Sequence, residues 1–327
     1  MGELCVRSVV VTGANRGLGL GFVQHFLRMP KPPQWIFATC RDPKGQGAQE
    51  LQNLASKHPS LVIISLEVAD PASIKAAAAK VGAHLGDSGL NLLINNAGMV
   101  KSKKLDAETL EDMTETYTTN TAGPLLMGQA FLPLLKKAAQ GSPGSGLSCS
   151  KAAIINISSI GGSIASAFGW DMMQLVSYRC SKAALNMLSK CQSLAYKEHG
   201  ILCVALHPGW VQTDMGSSAG HAVGIPLGQG HQSSCADFPC VGVAVLNPCP
   251  GFPACPIAVG AAPSVLVLGA GCPNPLGSLH GPSFMVVQGF QLPPFPWSAS
   301  FPQPWLGQGL RHGLHLPLCP TAPCDSG

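Results

Sequence analysis

The sequence predicts an α/β fold over its first two-thirds, a doubly wound parallel sheet, followed by an irregular tail. Three patterns carry this. Short apolar runs alternate with helical patterns up to about residue 221, as βαβ units require. A glycine-rich stretch, Thr12-Gly13-Ala14-Asn15-Arg16-Gly17-Leu18-Gly19, lies between the first apolar run and the first helical pattern. From Ala222 onward the charges nearly vanish: Asp237, Arg311 and Asp325 are the only ones, while 18 of the 28 prolines and 7 of the 13 cysteines fall there. The chain is therefore divided into an α/β domain over 1–221 and an atypical, poorly ordered tail over 222–327.

Each element follows from its pattern. Ser8 to Val11 is read as the first strand, and Gly19 to Arg28 as a helix stopped by Pro30, Pro32 and Pro33,. Trp35 to Cys40 is the second strand, Ala48 to Lys57 a helix, and Leu61 to Val68 the third strand. Ser73 to Leu85 is alanine-rich and helical. Leu90 to Ile94 is apolar except at Asn91 and is read as a strand buried on both faces of a parallel sheet,. Leu105 to Lys137 reads as two long helices broken near Gly123-Pro124, and Gln140 to Ser150 as a surface loop. Ala153 to Ile157 is the fifth strand, Tyr178 to His199 a long helix, and Leu202 to Leu206 the sixth strand. In the tail, Val241 to Leu246 and Ser264 to Leu268 are candidate short strands bracketed by prolines.

Composition excludes several classes. Of the 327 residues 46% are hydrophobic, enough for a sizeable core, and only 11% are charged, against roughly 25% in ordinary soluble domains. The net charge of +4 has no basic cluster interleaved with aromatics, so nucleic acid is not an expected partner,. No apolar run reaches the roughly 18 residues of a membrane span; the best tail stretch, Ile257 to Gly271, is interrupted by Pro263. No signal peptide is read before the first strand, and Val6 breaks the myristoylation pattern. A cytoplasmic chain with reduced cysteines is the expectation. Cys235, Cys240, Cys249 and Cys255 cluster without Cys-x2-Cys pairs, so no metal is expected,.

Four places carry chemistry. In the glycine stretch, Gly13 and Gly17 allow a tight turn and close backbone approach. Gly19 lets the helix pack on the sheet, with its N-terminus toward a pyrophosphate. At the end of the second strand, Thr39-Cys40-Arg41-Asp42 presents Arg41 first, and Arg41 with Arg16 can bracket a 2′-phosphate. The alternative has both arginines solvated and Asp42 on the ribose; NADP(H) is the favoured cofactor, ahead of NAD(H). Tyr178 and Lys182 lie four apart at a helix start and share a face. A lysine ammonium near a phenol favours phenolate and lowers the tyrosine pKa, and such a tyrosine can protonate a carbonyl oxygen as hydride arrives. Ser158-Ser159 ends the fifth strand at the sheet edge where ligands bind, and a hydroxyl there can bond a substrate oxygen. Asn95-Asn96-Ala97-Gly98, Asn120 and Pro208-Gly209-Trp210-Val211-Gln212-Thr213 complete the set; alone, each is equally a turn or a satisfied backbone group.

Taken in order, these motifs resemble the short-chain dehydrogenase/reductase family, a Rossmann-fold group, from about Arg7 to Met215. The Cys-Arg after the second strand and the long serine-to-tyrosine spacing look most like its C-signal-like and sniffer-like carbonyl reductases. The resemblance implies roles. Ser159 orients the carbonyl, Tyr178 is the acid, Lys182 lowers its pKa and holds the nicotinamide ribose, and Asn120 positions a water in a relay to Lys182. Gly13, Asn15, Arg16, Gly17, Leu18, Gly19 and Arg41 hold the cofactor, with Val68 near adenine. Asn95, Ala97 and Gly98 line its channel, and Pro208, Val211 and Thr213 meet the carboxamide end. Glu67 stands where the family places an aspartate. The segment Gly169 to Ser177 is longer than in many members, and shapes the substrate mouth or is a tolerated insertion.

The family continues past Thr213 with further helices and a last strand, which this tail does not show. It resembles the product of an alternative exon or a read-through, and a sheet without its last strand keeps an unpaired edge. The leading expectation is an NADP(H)-dependent carbonyl reductase or alcohol dehydrogenase acting on a small carbonyl substrate. The alternative is a catalytically impaired isoform that binds cofactor for signalling. A homodimer fits the family, although the late helix that often forms its interface is missing.

Overall fold

The computed structural model describes residues 5–142, 146–165, 169–171, 173–209, 211 and 213–215, with the backbone of 269–270 and 283–284. Six strands form one parallel sheet: β1 (Ser8–Thr12), β2 (Trp35–Cys40), β3 (Leu61–Ser65), β4 (Leu92–Asn95), β5 (Ala153–Ile157) and β6 (Leu202–Leu206). Their order is β3-β2-β1-β4-β5-β6. The order reverses between β1 and β4, so the crevice for a ligand opens beyond the carboxyl ends of those two strands.

The strands are apolar on both faces because helices cover both. Alternate residues of β1 feed two cores: Val9 and Val11 join one cluster, Val10 the other,. Val9 and Val11 pack with Leu20, Val23 and Phe26 of α1 (Gly17–Arg28) and Leu51 of α2 (Gln49–Ala55). Val10 packs with Ile74, Ala77 and Val81 of α3 (Pro71–Leu85) and with Met127 and Phe131 of α5 (Gly123–Gln140). Asp70 caps α3, its carboxylate accepting from Ala72 N at 2.9 Å, and Pro71 sits at the first position, where no N–H is needed,. A capping box of Thr109 and Asp112 starts α4 (Leu110–Tyr117),.

The junction expected near Gly123-Pro124 takes a particular form: α4 meets α5 through one wide π turn, Thr118–Ala122, with no loop between them. The wide turn absorbs the missing Pro124 N–H, since a π turn already shifts the hydrogen-bond ladder by one residue. Gly123 is needed because a Cβ there would lie 2.8 Å from Val68 O. Helix α6 (Val176–Tyr196) begins two residues before Tyr178. Other boundaries differ from expectation by a few residues: α4 begins at Leu110 rather than Leu105, after a short 3-10 turn, and β3 ends at Ser65 rather than Val68.

Gly269–Ala270 (β7) pairs antiparallel with Ser283–Phe284 (β8). The boundary expected at 221, the candidate strands at 241–246 and 264–268, the tail cysteines and the missing last strand fall outside the described residues. Among the described residues β6 is the sheet edge, no helix is long and apolar enough to cross a membrane, and six cysteines are free thiols.

Candidate active site

One cavity of about 920 Å³ opens along the carboxyl edge of the sheet, from the β2 end to the residues after β6. The glycine turn forms its floor. Gly13 and Gly17 have φ of 62° and 52°, backbone that a side chain strongly disfavours,. A Cβ on Gly13 would also meet Ala97 Cα at 3.0 Å, so the turn lies against the residues following β4. That approach is fastened by Thr12, whose Oγ1 accepts from Asn96 N and Ala97 N at 2.9 Å each. Asn96 Nδ2 in turn donates to Thr12 O at 2.9 Å and Gly13 O at 3.2 Å.

Asn15, Arg16, Gly17, Leu18, Arg41, Val68, Ala97 and Gly98 line the cavity as expected, and so do Pro208, Val211 and Thr213 at its far end. Gly19 does not line it. Its place is packing, because a Cβ there would lie 2.2 Å from Gly13 O. Asn95 does not line it either. Its side chain is buried and donates to Asn156 Oδ1 at 2.8 Å, and Asn156 Nδ2 donates to Ser189 Oγ and to Gln192 Oε1 of α6. The next residue, Asn96, is the one that faces the cavity, and the sequence reading passed over it. The signal was present in the paired asparagines; which of the two faces the ligand depends on where β4 ends.

At the β2 end, Arg41 Nε lies 3.8 Å from Glu67 Oε2, with both side chains substantially solvent-exposed. Asp42 is committed elsewhere: its Oδ1 accepts from Lys44 N at 3.1 Å and Gly45 N at 3.0 Å. That turn brings Gly45, Gln46 and Gly47 to the cavity wall, where Asn15 Nδ2 donates to Gly47 O at 3.2 Å. The Gly45–Gly47 wall had no sequence signal beyond its glycines.

The reacting end combines β5 and α6. Both serines line the cavity, but Ser158 Oγ donates to Asn186 Oδ1 at 2.6 Å, which leaves the Ser159 hydroxyl for a ligand. Ser159 Oγ accepts from Gly161 N at 3.1 Å and shares a hydrogen bond with the Tyr178 phenol. Lys182 is buried, its Nζ donating to Ile157 O at 2.7 Å and lying 5.6 Å from the centroid of the Tyr178 ring. Asn120 sits in the π turn, fully buried. Its Nδ2 donates to Met99 O at 2.9 Å and to Ser181 Oγ at 3.0 Å, and its Oδ1 accepts from Met99 N. It braces the strand that follows β4 against α6 and does not reach the open cavity.

The electrostatics depart from expectation at Tyr178. Burial raises the phenol pKa, and the Ser159 hydrogen bond lowers it by less. The Lys182 ammonium does not dominate, because it is directed to the Ile157 carbonyl and is itself pushed down to about 8 by burial. His207, also on the cavity wall, is pushed down to about 4 by burial and is neutral near neutral pH.

Comparison with known proteins agrees with this arrangement. The chain is 70% identical to an NADPH-bound carbonyl reductase from chicken fatty liver, with 69% of this chain and 84% of that one covered and a TM-score of 0.67. It is 41% identical to the carbonyl reductase Sniffer of D. melanogaster, covering 68% of this chain and 87% of that one at a TM-score of 0.63. Human 17-beta-hydroxysteroid dehydrogenase type 2 is 32% identical over 215 residues, 65% of this chain and 49% of that protein. The chain spans about half the length of such curated relatives. Residues 7–223 match the short chain dehydrogenase family model, and with the glycine turn, the parallel sheet and the Ser159–Tyr178–Lys182 group in one cavity, the chain belongs to that oxidoreductase family.

Proposed function

We propose that this chain is an NADP(H)-dependent carbonyl reductase, or in reverse an alcohol dehydrogenase, with Tyr178 as the proton donor. The observation that carries the reading is the meeting of Ser159, Tyr178 and Lys182 in the same cavity as the glycine turn. The residues present fit the cofactor. α1 starts at Gly17 and Arg16 before it gives no side-chain cap, so the N–H groups of its first turn are left for an anion,. Arg16 and Arg41 line the neighbouring wall, while Asp42 holds its own turn, an arrangement that favours a 2′-phosphate over a bare ribose,. The similarity to an NADPH-bound reductase points the same way.

When bound, NADPH supplies a hydride to the carbonyl carbon. Ser159 orients the carbonyl oxygen through its hydroxyl. Tyr178, kept protonated by burial, donates its proton to that oxygen as negative charge develops there,. Lys182 steadies the phenolate left behind and holds the ribose. Asn120 keeps the backbone of Met99 and the start of α6 in register.

The direct test is NADPH consumption by the purified full chain against aldehydes, ketones and quinones. Turnover supports the reading. A chain that binds NADPH and turns over none of them favours the cofactor-binding role.

Two further outcomes follow. Reductive kcat/KM is expected to stay level at neutral pH and to fall as pH rises through about 8, where Lys182 loses its charge,. A pH–rate profile that climbs above that value contradicts the assignment. Exchanging Arg41 for Asp should raise the KM for NADPH by ~10- to 100-fold, the loss of one charge-assisted contact and its replacement by repulsion, and leave NADH within ~3-fold. Initial rates with both cofactors check this.

A further inference from the structure

The substrate end of the cavity is walled by Gly169, Met173 and Leu175, from a stretch (169–171 and 173–175 among the described residues) that is neither helix nor strand and leads into α6. Its backbone is held in unusual shapes. Gly169 has φ of 72°, and Leu175 has φ of 47°, the one left-handed position among the described residues that is not glycine. A buried leucine held there is strained,. The strain sits at the residue preceding the helix that carries Tyr178 and Lys182, and Leu175 has no side-chain cap to offer that helix.

The contacts that hold the segment converge on Arg179. Its Nε donates to Gln174 O at 2.7 Å and its Nη2 to Met173 O at 3.2 Å. Its guanidinium carbon lies 5.8 Å from the centroid of the Trp170 ring. Its stem crosses Gly161, where a Cβ would be 3.6 Å from Arg179 Cγ; Gly161 N is the donor to Ser159 Oγ. One side chain therefore touches the serine turn, two consecutive carbonyls of the mouth segment and the indole at its outer end. Further ties come from the stretch before α4: Leu105 N donates to Gln174 Oε1 at 2.6 Å, and Glu108 Oε1 accepts from Ser177 N and Ser177 Oγ at 3.0 Å each.

We infer that Arg179 is a positioning residue: it straps the 169–175 segment over the substrate end of the cavity and so sets the affinity for the carbonyl substrate. The inference rests on the reductase reading. The physical basis is the shape of the guanidinium, a planar fork that can bond two carbonyls while its face lies on an aromatic ring. A lysine ammonium has the charge without the fork. The contacts of Arg179 described above lie at the serine turn and the cavity mouth, so its loss should leave cofactor binding at the glycine turn in place.

The test compares wild type, Arg179→Met and Arg179→Lys. Three quantities are read: kcat and KM for menadione, NADPH affinity by fluorescence titration, and hydrogen–deuterium exchange of the 169–177 amides. In both variants KM should rise ~10-fold or more while kcat falls by no more than ~3-fold, because a displaced wall weakens binding before it disturbs the proton donor. NADPH affinity should hold, and exchange at 169–177 should speed up. Full rescue by lysine overturns the inference, since charge alone would then suffice. So does a fall in kcat at unchanged KM, which would place Arg179 in the chemistry. Because the lysine variant keeps stem and charge, it remains informative if the methionine variant does not fold. Should the wild type reduce no carbonyl, the reductase reading fails by itself. The exchange data then decide the strap: faster exchange in the variants supports it, and unchanged exchange overturns it.

Discussion

Tyr178→Phe is expected to lower kcat/KM for carbonyl reduction by ~10²- to 10⁴-fold, the range lost when a positioned general acid is removed, while NADPH still binds. The reason lies in what Tyr178 touches. Its phenol is the one hydroxyl that both faces the cavity and bonds Ser159, and burial keeps it protonated. Phenylalanine keeps the ring against which Lys182 rests at 5.6 Å, so α6 has no reason to shift. Rates of NADPH consumption with equal cofactor saturation check the prediction. A variant that retains most of its turnover would move the proton donor elsewhere, with Lys182 the next group on the cavity wall.

Gly19→Ala should abolish useful cofactor binding although Gly19 touches no cavity. The added Cβ would lie 2.2 Å from Gly13 O, 2.7 Å from Asn96 Nδ2 and 2.9 Å from Ala14 Cα. Two of these are backbone atoms of the glycine turn, which cannot swing aside as a side-chain tip can. The turn must shift, and with it the Asn96 bonds to Thr12 O and Gly13 O that fasten β1 to β4. Overpacking of this kind costs about 1–3 kcal/mol, and a lowered Tm of ~2–4 °C per kcal/mol follows for a domain of this size. NADPH affinity should fall more than ~10-fold, because anion binding depends on the placement of those N–H groups. Thermal melts with and without NADPH separate the two effects: the variant should melt lower and gain little from the cofactor. Wild-type stabilisation by NADPH in the variant would contradict the packing argument.

Much of this was legible in the sequence, and the failures have physical causes. β2, β5 and β6 were placed to the residue, because each is a run of apolar residues bounded by turns, and burial on both faces leaves little room for slippage,. The glycine turn and the Tyr178–Lys182 pair were legible because their chemistry demands fixed spacings. The junction near Gly123-Pro124 was legible because Gly-Pro is ordinarily a breaker, but no local pattern signals that a π turn will join the two helices without a loop. Asn95 and Asn96 were exchanged in role because their directions depend on the last pleat of β4, a one-residue question. The raised Tyr178 pKa was missed because charge proximity can be guessed from a four-residue spacing, whereas burial and the pull of the Ile157 carbonyl on Lys182 cannot. Leu175 gave no hint at all: nothing in a leucine announces a left-handed backbone.

The central claim is that hydride and proton meet at a carbonyl beside Tyr178. Incubating the full chain with 4-deuterated NADPH and a reducible carbonyl, then weighing the alcohol by mass spectrometry, tests it most directly. The account predicts an alcohol carrying deuterium on the former carbonyl carbon with the wild type, and almost none with Tyr178→Phe at equal cofactor occupancy. A wild-type chain that binds the labelled cofactor and yields no deuterated alcohol from any aldehyde or ketone offered would contradict it.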